Sequence, residues 1–294
     1  MQVSSRGVAI EVDDQGPPGG EPLLMIMGLG MQLVAWPDAL VQMLVARGFR
    51  VVRIDNRDAG LSQGFDEAGV PNLAWAALRY ALHLPVTSPY ALRDMAADAI
   101  GVLDALNLTR VHVCGASMGG MIAQHLASEQ AQRVKSLTLM MTTSGARGLP
   151  HAQPHVRRAL LSRPAGRGDE AVAAHLQKVF ELIGSPAYPG DPARARERVL
   201  AGVRRAYRPA GTARQLLAII ADGDRSRLLL RIAAPTRVIH GEADPLVPVA
   251  CGRDLAQRIA GAEADIVPGM GHDLPEALFE RFADGIRSNA TRAA

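Results

Sequence analysis

A chain of 294 residues with 48% hydrophobic and 21% charged side chains and a mean hydropathy of +0.06 can bury a large core, which excludes a disordered or fibrous protein. A net charge of +3, aromatics at only 4% and the lack of any Lys/Arg run of five or more weigh against nucleic-acid binding. No apolar run approaches the roughly 18 to 20 residues of a membrane-spanning helix, and the two cysteines, Cys114 and Cys251, form neither a disulfide framework nor a metal-ligand pattern, so both read as packing residues.

The N-terminus M-Q-V-S-S-R-G-V-A-I lacks the charged start, apolar stretch and small-residue cleavage site of a signal peptide, so a cytoplasmic location with no membrane association is the default expectation. Pro22 to Met27, P-L-L-M-I-M, is a buried-strand pattern ending in the glycine turn Gly28-Leu29-Gly30. A helix should follow between Pro37 and Gly48, with Leu40, Val41, Leu44 and Val45 on one apolar face. Arg50 to Asp55 returns to a strand, Ala91 to Leu106 reads as a helix, Arg110 to Cys114 as a strand, Met118 to Ala127 as a helix and Val134 to Met141 as a strand. Repeated strand-helix-strand order implies a mostly parallel sheet covered by helices on both faces.

Residues 146–232 break this rhythm. Helix-like segments there are separated by R-P-A-G-R-G-D, G-S-P-A-Y-P-G-D-P and Y-R-P-A-G-T, with no convincing strand. The stretch carries 16 Arg and Lys against 7 Asp and Glu, a net +9, while the rest of the chain is −6. Such charge could draw in an anionic or carbonyl-rich substrate, although arginines on solvated helix faces are its usual cause. Strand-helix order resumes at Pro235 to His240 and Ala264 to Val267, before a final helix from Pro275 to Arg287. The expected organisation is one α/β domain, 1–145 and 233–294, interrupted by a helical insertion over 146–232.

Gly115-Ala116-Ser117-Met118-Gly119 fits G-x-S-x-G where a strand runs straight into a helix, the context that gives this short pattern weight. A sharp turn there holds the serine in an unfavourable backbone conformation, costing about 1–3 kcal/mol, and projects its hydroxyl beside a helix N-terminus that favours negative charge. A serine hydroxyl is a weak nucleophile at neutral pH and needs a base with an orienting partner. Asp244, in H-G-E-A-D-P-L-V-P after one strand, and His272, in P-G-M-G-H-D-L-P after the last, supply an acid and a base in the chain order Ser, Asp, His. Among the other histidines, His112 and His240 fall within strands and His125 lies two turns into a helix, positions that suit structural roles. Competing acids are Glu242, Asp222 and Asp224, whereas Asp273 adjoins the base and cannot easily fold back to orient it.

On G-A-S-M-G-G, G-E-A-D-P-L-V-P and P-G-M-G-H, the chain resembles the α/β-hydrolase superfamily over nearly its whole length. M-G-L-G-M-Q, D-N-R-D-A-G-L-S and P-G-M-G-H-D-L-P look like the branch of the aclacinomycin methylesterases and related bacterial esterases. The resemblance implies the α/β-hydrolase fold, a cap formed by residues 146–232, and a serine carboxylic-ester hydrolase working through Ser117, His272 and Asp244 on a small-molecule ester. That chemistry requires no cofactor and no metal. The same triad also serves carbon–carbon bond hydrolases, lactonases, thioesterases and cofactor-free haloperoxidases, and a ligand-binding receptor on such a scaffold is a further alternative. Oligomeric state is not indicated.

Backbone N–H donors must also face the developing oxyanion. Met118, following the nucleophile, should supply one, and the resemblance places the other at Leu29. The family's common His-Gly start is absent here: Met27 stands in the histidine position, so a polar anchor for that loop is lost. Asp55, Arg57 and Asp58 read as residues that hold loops together. Gly28, Met31 and Met270 are expected beside the substrate, since thioethers suit a pocket for varied apolar groups, though methionine is equally a core filler.

Overall fold

Successive side chains of a strand point to opposite faces of the sheet, and the apolar residues here divide accordingly. Leu24 and Ile26 face one hydrophobic core, while Leu23 and Met25 of the same strand face the other. In the computed structural model, which describes residues 1–293, both cores form around an eight-stranded sheet. The chain runs through β1 (Gln2–Ser5), β2 (Val8–Gln15), β3 (Glu21–Ile26), α1 (Asp38–Ala46), β4 (Phe49–Ile54), α2 (Leu73–Ala81), α3 (Leu92–Ala105), β5 (Val111–Ala116), α4 (Met118–Glu129) and β6 (Val134–Met140). It continues through α5 (Pro154–Leu160), α6 (Asp169–Ile183), α7 (Pro192–Arg205), α8 (Pro209–Asp222) and α9 (Ser226–Leu229) before β7 (Thr236–Gly241), α10 (Val249–Arg258), β8 (Glu263–Val267) and α11 (Phe279–Thr291). No helix among the described residues is long and apolar enough to cross a membrane.

The strand order is β1-β2-β4-β3-β5-β6-β7-β8. From β4 to β8 every pairing is parallel, and β2 joins antiparallel to β4 with β1 antiparallel beyond it. Leu92, Met95, Ala99, Val102, Leu103 and Ile122 of α3 and α4 fill one core; Leu40, Val41 and Leu44 of α1, with Phe279, Phe282 and Ile286 of α11, fill the other. Each fully buried leucine, valine, isoleucine, methionine or phenylalanine among them contributes roughly 1.5–3 kcal/mol relative to exposure.

The structure corrects the expected elements in three places. The N-terminal hairpin β1–β2 was not anticipated, although Val8, Ile10 and Val12 alternate as a half-buried strand should. β5 extends two residues past Cys114, to Ala116, because Gly115 and Ala116 still pair with Leu139 and Met140 of β6. The last α-helix starts at Phe279 after a short 3-10 turn, Glu276–Leu278, and continues to Thr291.

Buried ion pairs join the helices between β6 and β7 to the sheet. Arg214 of α8 grips Asp58 with two parallel hydrogen bonds, Nε to Oδ2 at 2.8 Å and a terminal nitrogen to Oδ1 at 2.7 Å, and both side chains are essentially inaccessible. Burial pushes the Asp58 carboxyl up, but hydrogen bonds from Arg214, Tyr90 and the Phe65 N–H together outweigh it and hold the group below its usual range. Arg205 of α7 reaches Asp55 at 2.7 Å, and Asp55 also accepts from the N–H groups of Leu33 and Leu61.

Removing one partner of a buried pair leaves an uncompensated charge, so Arg214→Met should lose about 3–5 kcal/mol of stability in urea unfolding at neutral pH. Because the folded pKa of Asp58 is depressed, the pair's contribution is complete above the unfolded carboxylate value of about 4 and disappears as pH falls below it. Acid titration of stability should therefore be shallower in Arg214→Met than in the parent.

Candidate active site

Ser117 sits where β5 turns into α4, with φ 53° and ψ −120°, a backbone conformation that side-chain-bearing residues rarely adopt. Glycines make the turn sterically feasible. A Cβ on Gly115 would lie 2.3 Å from the Gly119 carbonyl oxygen, and one on Gly119 would lie 2.0 Å from the Ile26 oxygen, so α4 rests directly on the end of β3. The Ser117 N–H donates to the Met140 carbonyl at 2.9 Å, and the Thr142 hydroxyl donates to the Ser117 carbonyl at 2.7 Å. Both neighbouring strands thus hold the strained residue.

The structure brings Asp244 and His272 to this turn. His272 Nε2 lies 3.1 Å from Ser117 Oγ, and Nδ1 lies 2.7 Å from Asp244 Oδ2. The network assigns the ring proton to Nδ1, where it is donated to the carboxylate, leaving Nε2 to accept from the serine hydroxyl. Asp244 is held in turn by the N–H groups of Leu246 at 2.9 Å and Val247 at 2.8 Å, both to Oδ1, so each of its oxygens has a fixed task. Its side chain is wholly buried, whereas that of His272 keeps 8% of its surface. A serine hydroxyl, an imidazole and a carboxylate thus stand in one hydrogen-bonded chain, an arrangement suited to acyl transfer.

The competing residues are occupied elsewhere. His112 bonds Ser136, His125 bonds Asp222, and His240 bonds the Val247 carbonyl at 2.8 Å. Burial lowers the pKa of His240, so the ring stays neutral beneath the Asp244 loop. Asp222 also pairs with Arg225, and Glu242 is exposed. Asp273 turns away from the imidazole to accept from the Ser185 hydroxyl; burial raises its pKa despite that bond. Ser185 Oγ accepts from the Gly271 N–H at 2.8 Å, and the His272 N–H donates to the Ile183 carbonyl at 2.7 Å, so the His272 loop is pinned to the end of α6.

Gly28 lies against the serine: a Cβ there would be 3.1 Å from Ser117 Cβ. Among the described residues, no protein acceptor engages the N–H of Leu29 or of Met118, which leaves both donors open near the serine. Met31 is half-buried, but Met270 has no exposed surface and packs in the same core as Leu278 and Phe279, so in this structure it is a packing residue. Met27 and Met118 are also in the cores. Cys114 and Cys251 are buried and unpaired, with burial pushing the Cys114 thiol up to about 12. Among the described residues no group of three or more His, Cys, Asp or Glu side chains is arranged to hold a metal ion.

Contacts that sequence reasoning missed come from the segment between β6 and β7. Gln215, Arg205 and Ser185 reach the loops carrying Leu29 and His272, and no local pattern marks a glutamine or an arginine on an amphipathic helix for such a task.

Residues 21–276 match the alpha/beta hydrolase fold family. Rhodomycin D methylesterase DauP of Streptomyces sp. (strain C5) is 33% identical, covering 95% of this chain and 93% of its own, and rhodomycin D methylesterase DnrP of Streptomyces peucetius is 31% identical, covering 99% and 98%. The meta-cleavage product hydrolase CumD of Pseudomonas fluorescens IP01 superposes with a TM-score of 0.76 at 17% identity, covering 100% of this chain and 98% of that one, a likeness of fold. With the family matched from β3 to beyond His272, and two methylesterases similar over nearly the full length, the chain belongs to the α/β-hydrolase family, in the branch that contains these methylesterases.

Proposed function

We propose that this enzyme is a serine carboxylic-ester hydrolase acting on a small to medium apolar ester, with methyl esters the first class to test because similar chains are named methylesterases. The observation that carries the reading is the 3.1 Å contact between Ser117 Oγ and His272 Nε2 on a strained turn, with Asp244 2.7 Å behind the ring.

Ser117 Oγ attacks the ester carbonyl carbon while His272 Nε2 takes its proton, and Asp244 stabilises the resulting imidazolium and keeps the ring oriented. The carbonyl oxygen becomes an oxyanion that receives the N–H groups of Leu29 and Met118. Removing one such donor from an oxyanion hole typically costs about 10²–10³ in kcat. Collapse breaks the bond to the alcohol, which leaves with the proton from His272. Water then attacks the acyl carbon, giving its proton to His272, and as the acid departs His272 passes that proton to Ser117 Oγ. Every proton is returned, so none of these steps needs a further group.

The helices of residues 146–232 act as a cap in this reading. Its support is their contact with the catalytic loops: Ile183 and Ser185 on the His272 loop, and Arg205 and Gln215 on the Leu29 loop. The same three side chains would also open a lactone, a thioester or an activated carbon–carbon bond, so turnover on esters, lactones, thioesters and diketones graded by acyl size defines the reaction. Repeated release of product distinguishes an enzyme from a stoichiometric receptor.

Ser117→Ala should abolish hydrolysis of short p-nitrophenyl esters with an unchanged melting temperature; activity persisting in a clean preparation would overturn the reading. Asp244→Asn should lower kcat by about 10⁴, as in other serine triads. Asp273→Asn, whose carboxyl meets Ser185 rather than the imidazole, should lower it far less, and the reverse order in the same assay would reassign the acid.

A further inference from the structure

We propose that Gln215, on cap helix α8, is a positioning residue of the oxyanion hole, so that the hole is complete only while the cap is docked. This rests on the ester-hydrolase reading of the site. The loop carrying Leu29 has little of its own to fix it. Met27 at its start is apolar and buried in the core, and the loop's internal hydrogen bond is one turn, from the Met31 N–H to the Gly28 carbonyl at 3.1 Å. Asn56 tethers the near end by donating to the Met27 carbonyl at 2.9 Å. The far side of the turn is held at Leu33 by Asp55 and, nearer Leu29, from the cap.

Gln215 Oε1 accepts from the Gly30 N–H at 2.8 Å, and its Nε2 donates to the Arg57 carbonyl at 2.7 Å. The side chain has no exposed surface, and both ends are committed to backbone groups of opposite character, which allows a single orientation of the amide. Thr212, three residues earlier on α8, packs on the same glycine: a Cβ on Gly30 would meet its hydroxyl at 2.6 Å, and φ is +67° there. One face of α8 therefore both presses on the turn and bonds it, at the residue next to Leu29. Beyond the turn, Gln32 donates to the carbonyls of Gly202 and Ala206 and accepts from Arg205 of α7.

The Leu29 N–H lies in the Gly28–Leu29 peptide plane, and the adjoining Leu29–Gly30 plane, which carries the Gly30 N–H, limits how that plane can turn. Gly28 on one side abuts Ser117, and Gly30 on the other abuts Gln215. Without the glutamine acceptor, the part-buried Gly30 N–H would lose its protein partner, and the turn would be free to rotate toward another. The serine, imidazole and carboxylate share no hydrogen bond with Gln215, so its loss would weaken transition-state stabilisation while leaving them in place.

The test compares Gln215→Met, which keeps the length but removes the acceptor, with Gln215→Asn, which stays polar but withdraws the oxygen, and with Gln215→Glu, which retains an acceptor for Gly30. In Gln215→Met and Gln215→Asn, kcat on a p-nitrophenyl ester should fall about 10- to 100-fold with KM changed little, since a misplaced donor acts on the transition state. Affinity for a trifluoromethyl ketone, whose adduct with the serine places an oxyanion in the hole, should fall by a similar factor, and Gln215→Glu should recover part of both. A merely structural glutamine would not move the ketone affinity in step with kcat. Wild-type kcat in either folded variant, a loss confined to KM, or a loss of kcat with unaltered ketone affinity would overturn the proposal, as would failure of both variants to fold. If the parent shows no Ser117-dependent turnover, the ester-hydrolase reading itself is overturned, an outcome distinct from a working parent indifferent to Gln215.

Discussion

The backbone of Ser117 is the constraint around which the site is arranged. A non-glycine residue at φ 53° costs about 1–3 kcal/mol and persists only where its surroundings leave no alternative. Three strands supply those surroundings: β5 leads directly into the serine, β6 provides the Met140 acceptor, and the end of β3 touches Gly119 with no room for a side chain. The hydroxyl is therefore positioned by the most deeply buried part of the sheet. Asp244 and His272 arrive on loops after β7 and β8, and their order along the chain follows from the order of strands across the sheet.

Four consecutive residues after β4 connect this frame to its coverings. Asp55 receives Leu33, Leu61 and Arg205; Asn56 holds Met27; Arg57 forms a bidentate pair with Asp98 of α3; Asp58 receives Arg214, Tyr90 and Phe65. Each reaches a different element, and each bond is short. Burying charges is costly even when they are paired, and hydrophobic residues of similar volume often serve stability as well. What apolar residues would not provide is direction: fixed donors and acceptors at the base of the Leu29 loop and under α8.

Much of the fold was legible because it rests on local periodicity. Strands β3 to β8 and helices α1, α3 and α4 emerge from apolar runs and glycine or proline punctuation, with boundaries shifted by a residue or two where pairing outlasts the apolar run, as at Gly115 and Ala116. The hairpin β1–β2 escaped because its signal is a short alternation interrupted by charges, not a continuous run. Ser117, Asp244 and His272 were legible because each follows a strand in a recognisable turn. Their hydrogen-bonded meeting spans 155 residues, and Gln215 meets Gly30 across 185, distances over which sequence carries no local mark. Met270 has no exposed surface and lies in the same core as Leu278 and Phe279, which accords with the core-filling alternative for methionine.

Gly271, His272 and Asp273 each form a hydrogen bond with the short segment from Ile183 to Ser185, and a Cβ on Gly271 would lie only 2.4 Å from the Gly184 carbonyl oxygen. The end of α6 is therefore moulded to the loop that carries the imidazole. Helical insertions on shared scaffolds invite exchange as self-contained modules, a route to new selectivity that leaves the chemistry alone. In this protein the contact between that insertion and the His272 loop is part of the fold itself, so a transplanted insertion would have to bring a matching carbonyl and hydroxyl, or leave the imidazole without the bonds that aim it.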